Sequence, residues 1–202
     1  FGKKQQHHDN INLHILKIEK GFELNTKLEI LEFPDKRLRE ASIAVETFND
    51  KLKQLAEDML VTMYQSMGIG LAAPQVNHHI RLIVIDISEK RNEPMVFVNP
   101  EIKNPSGEVE SSEGCLSVPD IKTEVNRFES IEIKANKLDG EEFYMKADGL
   151  LSICVQHEID HLDGKLFIDY VSEIKLERLR KKIIKEKKAL NLEKQTKPDY
   201  LI

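Results

Sequence analysis

Tryptophan is absent from this 202-residue chain, and cysteine occurs only twice, at Cys115 and Cys154. Two thiols do not make a disulfide framework, so the expected setting is reducing and cytoplasmic, where a thiol is free to bind metal. No apolar run is long enough to span a bilayer, which excludes a membrane-spanning helix. The N-terminus has no compact apolar stretch followed by small residues, so no secretory signal is expected. A chain that opens on Phe1 reads instead as a processed or cloned fragment. Basic charge is not in excess. The formal charge of −5 argues against a general or specific nucleic-acid binder. Repeats and low-complexity domains are also missing. What is present suits one domain with tails, because 40% of the residues are hydrophobic and supply a core.

Residues 1–27 are polar and carry His7 and His8; they read as a tail. Packed structure is expected from Leu28, with a short strand over Glu29 to Phe33 turned by Pro34-Asp35. Asn49 or Asp50 can cap a helix running to about Ser66, and Leu52, Leu55, Met59 and Met63 recur at helical spacing as its buried face. Gly68 and Gly70 break that helix. Strands are expected over Arg81 to Ile87 and over Met95 to Val98, the second ended by Pro100. Ile131, Ile133 and Ala135 alternate with polar residues, Asp139-Gly140 signals a hairpin, and Phe143 and Met145 resume the alternation. A helix follows, capped by Asp148 and ended at Gly164. A last helix starts near Ser172, with a narrow stripe of Leu176, Leu179, Ile183 and Leu190 among many charges. The expected fold class is α+β, with mostly antiparallel strands packed around a central motif-bearing helix and a C-terminal helix. The expected division is a tail over 1–27, a metal-dependent domain over 28–171, and a charged helix and tail over 172–202.

The chemistry concentrates in Gln156-His157-Glu158-Ile159-Asp160-His161. On a helix, His157 and His161 lie one turn apart on one face, where a single ion can bind both imidazoles. Glu158 then stands beside the ion, where it can take a proton from bound water. Leu150, Ile153 and Cys154 share the histidine stripe, and Leu151, Val155 and Ile159 occupy the other side, so this helix should be buried nearly all round. Buried polar groups need partners, and the histidines satisfy that demand either as metal ligands or by bonding backbone carbonyls. A catalytic ion usually takes three protein ligands and one open position. Cys115, in a Gly-bearing segment that can bend, is the better third ligand, with an inert buried thiol as the alternative. Cys154 suits either ligation or an apolar wall. Gly68-x-Gly70 is a weak phosphate-loop signal, but glycine also permits close backbone approach to a ligand. Gln75 offers a neutral donor to a carbonyl or an oxyanion, or else belongs to a plain turn.

Three segments, Gly68 to Gln75, Glu113-Gly114-Cys115-Leu116-Ser117 and Gln156 to His161, together resemble the peptide deformylase family, in its order and spacing. The resemblance covers about residues 28–185 and fits the compact bacterial form with a C-terminal helix. It implies removal of the N-formyl group from the formyl-methionine of nascent polypeptides. It implies one divalent ion, Fe²⁺ in the first place with Zn²⁺, Ni²⁺ or Co²⁺ able to replace it, held by Cys115, His157 and His161 with water in the fourth position. Glu158 is implied as general base and then acid, and the Gln75 side chain with the Leu116 backbone amide as the oxyanion hole. Gly68, Ile69, Gly70, Glu113, Gly114, Leu150, Ile153 and Cys154 are expected to bind substrate. Ser111 departs from the aliphatic residue frequent in compact members and would make the pocket mouth more polar. Glu113 and Arg127 are expected to pair in support of Cys115. Docking on the ribosome through the C-terminal helix is a further expectation. Two competing readings are a metalloendopeptidase, whose third ligand usually lies downstream of the helix, and a non-enzymatic metal-binding or ribosome-docking protein, which needs neither Glu158 nor Gln75.

Overall fold

Leu82-Ile83-Val84-Ile85 is apolar at every position, a pattern that suits a strand covered on both faces. The computed structural model describes residues 27–196 and bears this out. The run forms β2 (Leu82–Ile85), and β1 (Gly70–Ala72), β3 (Met95–Ser106), β6 (Ser130–Asn136) and β7 (Glu142–Asp148) join it in a five-stranded sheet ordered β1-β2-β3-β6-β7. Every neighbouring pair in that sheet is antiparallel. Leu82 and Val84 point to one face, where α1 (Asp50–Gln65) packs through Leu52, Ala56, Met59 and Met63. Ile83 and Ile85 point to the other, where α2 (Gly149–Leu162) packs through Val155, Ile159 and Leu162. The period-2 pleat thus sorts one short run into two cores.

The expected α1 is present with its cap: the Asn49 side chain accepts from Leu52 N at 3.1 Å. The Ile131, Ile133 and Ala135 alternation is β6, buried on that face, and Gly140 turns the chain into β7. The motif helix starts after Asp148 as expected, but the Asp148 side chain makes no capping bond and turns to Lys146 at 3.3 Å instead. Gly164, at φ +71, ends the helix where a Cβ would stand 2.6 Å from the Arg39 carbonyl oxygen.

Four expectations need correction. Glu29 to Phe33 is extended but joins no sheet; Leu31 N and Phe33 N donate to the Gln75 and Ser117 carbonyls at 2.7 and 2.8 Å. The strand begun at Met95 does not end at Pro100. It runs on to Ser106 across an irregularity between Val98 and Glu101, where the missing proline N–H is tolerated. Residues 118–127, not foreseen as a strand, form β5 (Val118–Arg127), which pairs with β4 (Val109–Cys115) in a separate two-stranded sheet. Leu150 is exposed rather than buried, because α2 presents its first turn to an open cavity. The small sheet covers a third core of Leu31, Phe33, Val118, Ile121, Val125 and Phe167. The last helix, α3 (Glu173–Thr196), begins where expected and lays Leu176, Leu179 and Ile183 on this core. The expected tail, with His7 and His8, and the Leu190 side chain lie outside the described residues.

The irregularity in β3 is held by a side chain. Asn99, at φ +52, accepts from Val45 N at 2.8 Å and donates to Val45 O at 2.9 Å, pinning the segment before α1 to the sheet. Asn99→Ala removes both bonds and puts alanine, which tolerates left-handed backbone less well than asparagine, at φ +52. Urea unfolding should show a loss of about 2–4 kcal/mol, and a loss under about 0.5 kcal/mol would separate the pin from stability.

Candidate active site

β4 carries Ser111, Glu113 and Cys115 on one face by simple alternation. Its register with β5 slips between Gly114 and Cys115, so the chain bends just where the thiol is presented. α2 carries His157 and His161 at i and i+4, with ring centroids 5.1 Å apart. The ligand atoms of Cys115, His157 and His161 all lie within 4.8 Å of one another, and they are the one such group of three found among the described residues. Cys115 Sγ is 3.2 Å from His161 Nε2. A tetrahedral ion with ordinary metal–sulfur and metal–nitrogen bonds holds two such atoms about 3.5 Å apart. The donor set of one sulfur and two imidazoles therefore fits a divalent first-row ion.

The surroundings hold His157 and Cys115 by hydrogen bonds, while His161 Nδ1 has no partner among the described residues. His157 Nδ1 bonds Glu113 Oε2 at 2.8 Å, which commits that nitrogen and leaves Nε2 for the ion. Arg127 grips Glu113 with two bonds, 2.7 and 2.9 Å, and reaches Asp160 Oδ2 at 2.6 Å. Asp160 Oδ1 accepts from the Tyr170 hydroxyl at 2.8 Å, and the guanidinium lies 5.0 Å from the Tyr170 ring centre. Burial opposes charge on both Glu113 and Arg127, but each is the other's counter-ion: the Glu113 carboxyl is held below the usual carboxylate range and the Arg127 guanidinium is raised further. Burial and Asp160 push the Tyr170 hydroxyl up to about 12.

The two histidines are driven apart. Burial opposes charge on His157, yet the hydrogen bonds of Cys115 and Glu113 raise its pKa well above the ordinary value. Burial and the neighbouring His157 lower His161 well below it. Glu158 is 4% exposed, its Oε2 has no hydrogen-bond partner among the described residues, and burial pushes its carboxyl up to about 7. A cation beside it acts the other way and favours the carboxylate. An orphaned, buried carboxylate oxygen on the residue that follows His157 is a further sign that the site is built for an additional group.

Gln75 is buried, not part of a surface turn. Its Oε1 accepts from Ala72 N at 2.8 Å, so its amide nitrogen faces inward, 3.0 Å from Ser117 Oγ and 3.5 Å from Cys115 Sγ. Ser117 N also approaches that sulfur, at 3.4 Å. Gly70 explains itself by distance: a Cβ there would stand 2.3 Å from Glu158 Oε1 and 2.9 Å from Cys154 Sγ. Burial, with Glu158 and Glu113 nearby, raises the Cys154 thiol well above its ordinary value, which suits an inert wall.

A cavity of about 740 Å³ opens over these groups, between the unpaired side of β1 and β4. It is lined by Gly68, Ile69 and Gly70, by Gln75, by Ser111, Glu113, Gly114, Cys115 and Leu116, and by Leu150, Ile153, Cys154, His157 and Glu158. Every residue expected from sequence to act here therefore lines it, except His161, which is buried at its floor with a 2% exposure. Glu113 differs from its expected part in substrate binding, since both of its oxygens are taken by Arg127 and His157. Asp160, Ser117 and Tyr170 were not singled out beforehand. Asp160 lay inside the quoted motif, and a carboxylate on an otherwise buried helix was a signal that a cation had to be near.

The family model for polypeptide deformylases matches residues 27–177. A peptide deformylase of Pseudoalteromonas translucida is 53% identical over 161 residues, 80% of this chain and 96% of that protein. Among solved structures, a peptide deformylase from Legionella pneumophila superposes with a TM-score of 0.77 at 46% identity, covering 85% of this chain and 99% of the other. A class I type b peptide deformylase from Acinetobacter baumannii, bound to Met-Ala-Ser, gives a TM-score of 0.69 at 33% identity, covering 73% and 99%.

Two substitutions probe the frame. Arg127→Ala leaves Glu113 and Asp160 buried without their cation; it should lower stability by about 3–5 kcal/mol and metal retention against a chelator about 10- to 100-fold. Metal content and unfolding midpoint both unchanged would rule out this role. Gly70→Ala should remain folded by circular dichroism yet lose turnover by about a hundredfold, because Glu158 must move aside.

Proposed function

The chain belongs to the peptide deformylase family and hydrolyses the formyl group from the N-terminal methionine of new polypeptides, and we propose the following division of that work among its residues. Cys115, His157 and His161 hold the divalent ion on which the family depends. When bound, the ion supplies Lewis-acid polarisation of the formyl carbonyl and a water of lowered pKa. Glu158 takes a proton from the attacking water and then delivers one to the methionine nitrogen as the C–N bond breaks, leaving formate and a free amine. The Gln75 amide and the Leu116 backbone N–H receive the formyl oxygen as it gains charge. The observation that carries this reading is that Gln75, Cys115 and Glu158 line one cavity, with Gln75 Nε2 3.5 Å from Cys115 Sγ and Glu158 Oε2 without a hydrogen-bond partner among the described residues.

Substrate is held in two ways. Leu150, Ile153, Cys154 and Ile69 wall the methionine side chain. Backbone groups of Gly68, Ile69 and Gly70 on the edge of the large sheet pair with an extended peptide, as an added strand does. The Met-Ala-Ser occupant of the Acinetobacter relative supports a peptide in this cleft. Gly114 and Ser111 border its outer part on β4, where Ser111 makes the wall more polar. Fe²⁺ is the proposed native ion, with Zn²⁺, Ni²⁺ and Co²⁺ able to take its place. Residues 28–171 form the catalytic unit, and residues 172–202 an appended helix and tail.

No described helix is long and apolar enough to cross a membrane. Work in the cytoplasm is proposed because Cys115 must stay reduced to hold an ion. The exposed cations Arg178, Lys181 and Lys185 on α3 would face ribosomal phosphates while Leu176, Leu179 and Ile183 hold the helix down. Reversing those three charges should weaken co-sedimentation with ribosomes, with turnover on short peptides intact. Undiminished co-sedimentation rules out this docking face.

Activity should separate from metal content. Glu158→Ala should retain the ion but fall to near background on a formyl-Met peptide. Gln75→Ala should also retain it, and lose about 3–4 kcal/mol of transition-state stabilisation, a few hundredfold in turnover. Full activity in either variant would remove that residue from the reaction. Cleavage of internal peptide bonds, absent deformylation, would favour an endopeptidase.

A further inference from the structure

We infer that Arg91, which lies outside the cavity, is a positioning residue for the strand edge that holds the peptide, an inference that rests on the deformylase reading. The segment that must present its backbone to substrate is Gly68-Ile69-Gly70, and Ile69 stands 39% exposed at the cavity. It follows Met67, which is 75% exposed and sits at φ +60, a left-handed conformation that a side chain disfavours. Main-chain bonds close it from within, Gly68 N to the Met63 carbonyl at 2.9 Å and Met67 N to the Tyr64 carbonyl at 3.2 Å, and the neighbouring loop braces it from outside.

Both flanks of the hinge are tied to the loop after β2. Arg91 donates to the Met67 carbonyl at 3.2 Å and to the Tyr64 carbonyl, at the end of α1, at 3.3 Å, and one of its nitrogens lies 3.8 Å from Met67 Sδ. On the other side the Ile69 carbonyl accepts from Asp86 N at 2.9 Å. The loop is in turn knitted by the Asp86 carboxylate. It accepts from Ser88 N at 2.9 Å, Ser88 Oγ at 2.6 Å, Glu93 N at 3.1 Å and the Tyr64 hydroxyl at 2.6 Å. Asp86 is 1% exposed, so this anchor is rigid. Arg91 itself sits at φ +53, and its N–H closes a turn to the Ser88 carbonyl at 3.1 Å.

Arg91 makes no ion pair among the described residues; its charge is spent on carbonyls at the C-terminal end of a helix, where a cation is favoured. The fork of its guanidinium spans Tyr64 and Met67, so it fixes the angle at which the chain leaves α1 for β1. Beyond the main-chain bonds that close the turn, the loop after β2 therefore holds the Gly68–Gly70 edge from behind at two points, the Arg91 side chain and the bond from Asp86 N to the Ile69 carbonyl. Release of the side-chain point loosens the edge without touching the metal ligands, Glu158 or Gln75.

The main-chain groups of the edge pair with substrate main chain beyond methionine, whereas the methionine wall draws mainly on Leu150, Ile153 and Cys154 of α2, and that separates positioning from general damage. The full chain, Arg91→Ala and Arg91→Lys should be assayed on formyl-Met-Ala-Ser and on formyl-methionine amide. Arg91→Ala should lower kcat/KM for the tripeptide about three- to tenfold, through KM, as expected for one or two lost hydrogen bonds. Its kcat, and both constants on the amide, should stay within about twofold of the unaltered chain. Arg91→Lys should recover part of the loss. An unchanged tripeptide KM, or an equal fall on both substrates, overturns the inference. Inactivity of the unaltered, metal-loaded chain on both substrates would instead overturn the deformylase reading.

Discussion

One buried cation holds this site together. Arg127 lies in the interior with Glu113 on one side and Asp160 on the other, and Glu113 hands the restraint on to His157. α2 brings two histidines, a glutamate and an aspartate into the space between the two sheets, and a buried helix with such a load is stable only if each polar group is met. Asp160 is met by Arg127 and Tyr170, His157 by Glu113, and Gln156 by the Phe128 backbone. Arg127 is the last residue of β5 and Glu113 lies on β4, so the small sheet supplies the counter-charges for a helix packed on the large one. The ion site is the seam between the two.

That division explains what could be read from sequence. The spacing of His157 and His161 is local and the helix follows from it. The alternation at Ile131, Ile133 and Ala135 is local too. What escaped was non-local or broke a rule for a reason found elsewhere. Thr123 and Arg127 are buried on the inner face of β5, where alternation by hydrophobicity finds polar residues and reports no strand. Arg127 is inside because Glu113 and Asp160 are there, a fact held by residues 14 and 33 positions away. Pro100 signals a stop, yet β3 passes through it because the register shifts there between Val98 and Glu101, while the Asn99 side chain pins the bend to Val45. The Glu113–Arg127 pair could be expected from the resemblance; Asp160 and Tyr170 as its continuation needed coordinates.

Glycine at position 70 has a similar logic. Its backbone lies against α2 so closely that only a hydrogen fits between it and the Glu158 carboxylate. The same closeness brings the edge of β1, where a peptide main chain would run, next to the group that handles the proton. Distance between substrate and base is thus set by backbone packing, which flexes less than side chains do. The cavity lies between this edge and β4 and is lined by Leu150, Ile153 and Cys154 of α2, so one extended ligand in it would touch both sheets and the helix at once.

The orientation of Gln75 shows how little freedom remains. An amide side chain can face either way, but Ala72 N is a donor and admits only the oxygen. The nitrogen is then forced toward Ser117 Oγ and Cys115 Sγ. Ser117 N approaches the same sulfur from its own side. Both donors converge on that sulfur. A lysine at position 75 would supply more charge, but it would compete for the thiolate as a counter-ion and would need burial of an ammonium. A neutral amide donates to the sulfur without neutralising it, and it remains a donor for the oxyanion role proposed for Gln75. The helix that first draws attention with His-Glu-x-x-His therefore depends, for both its proposed third ligand and its proposed oxyanion donor, on two short segments that approach it from opposite sheets.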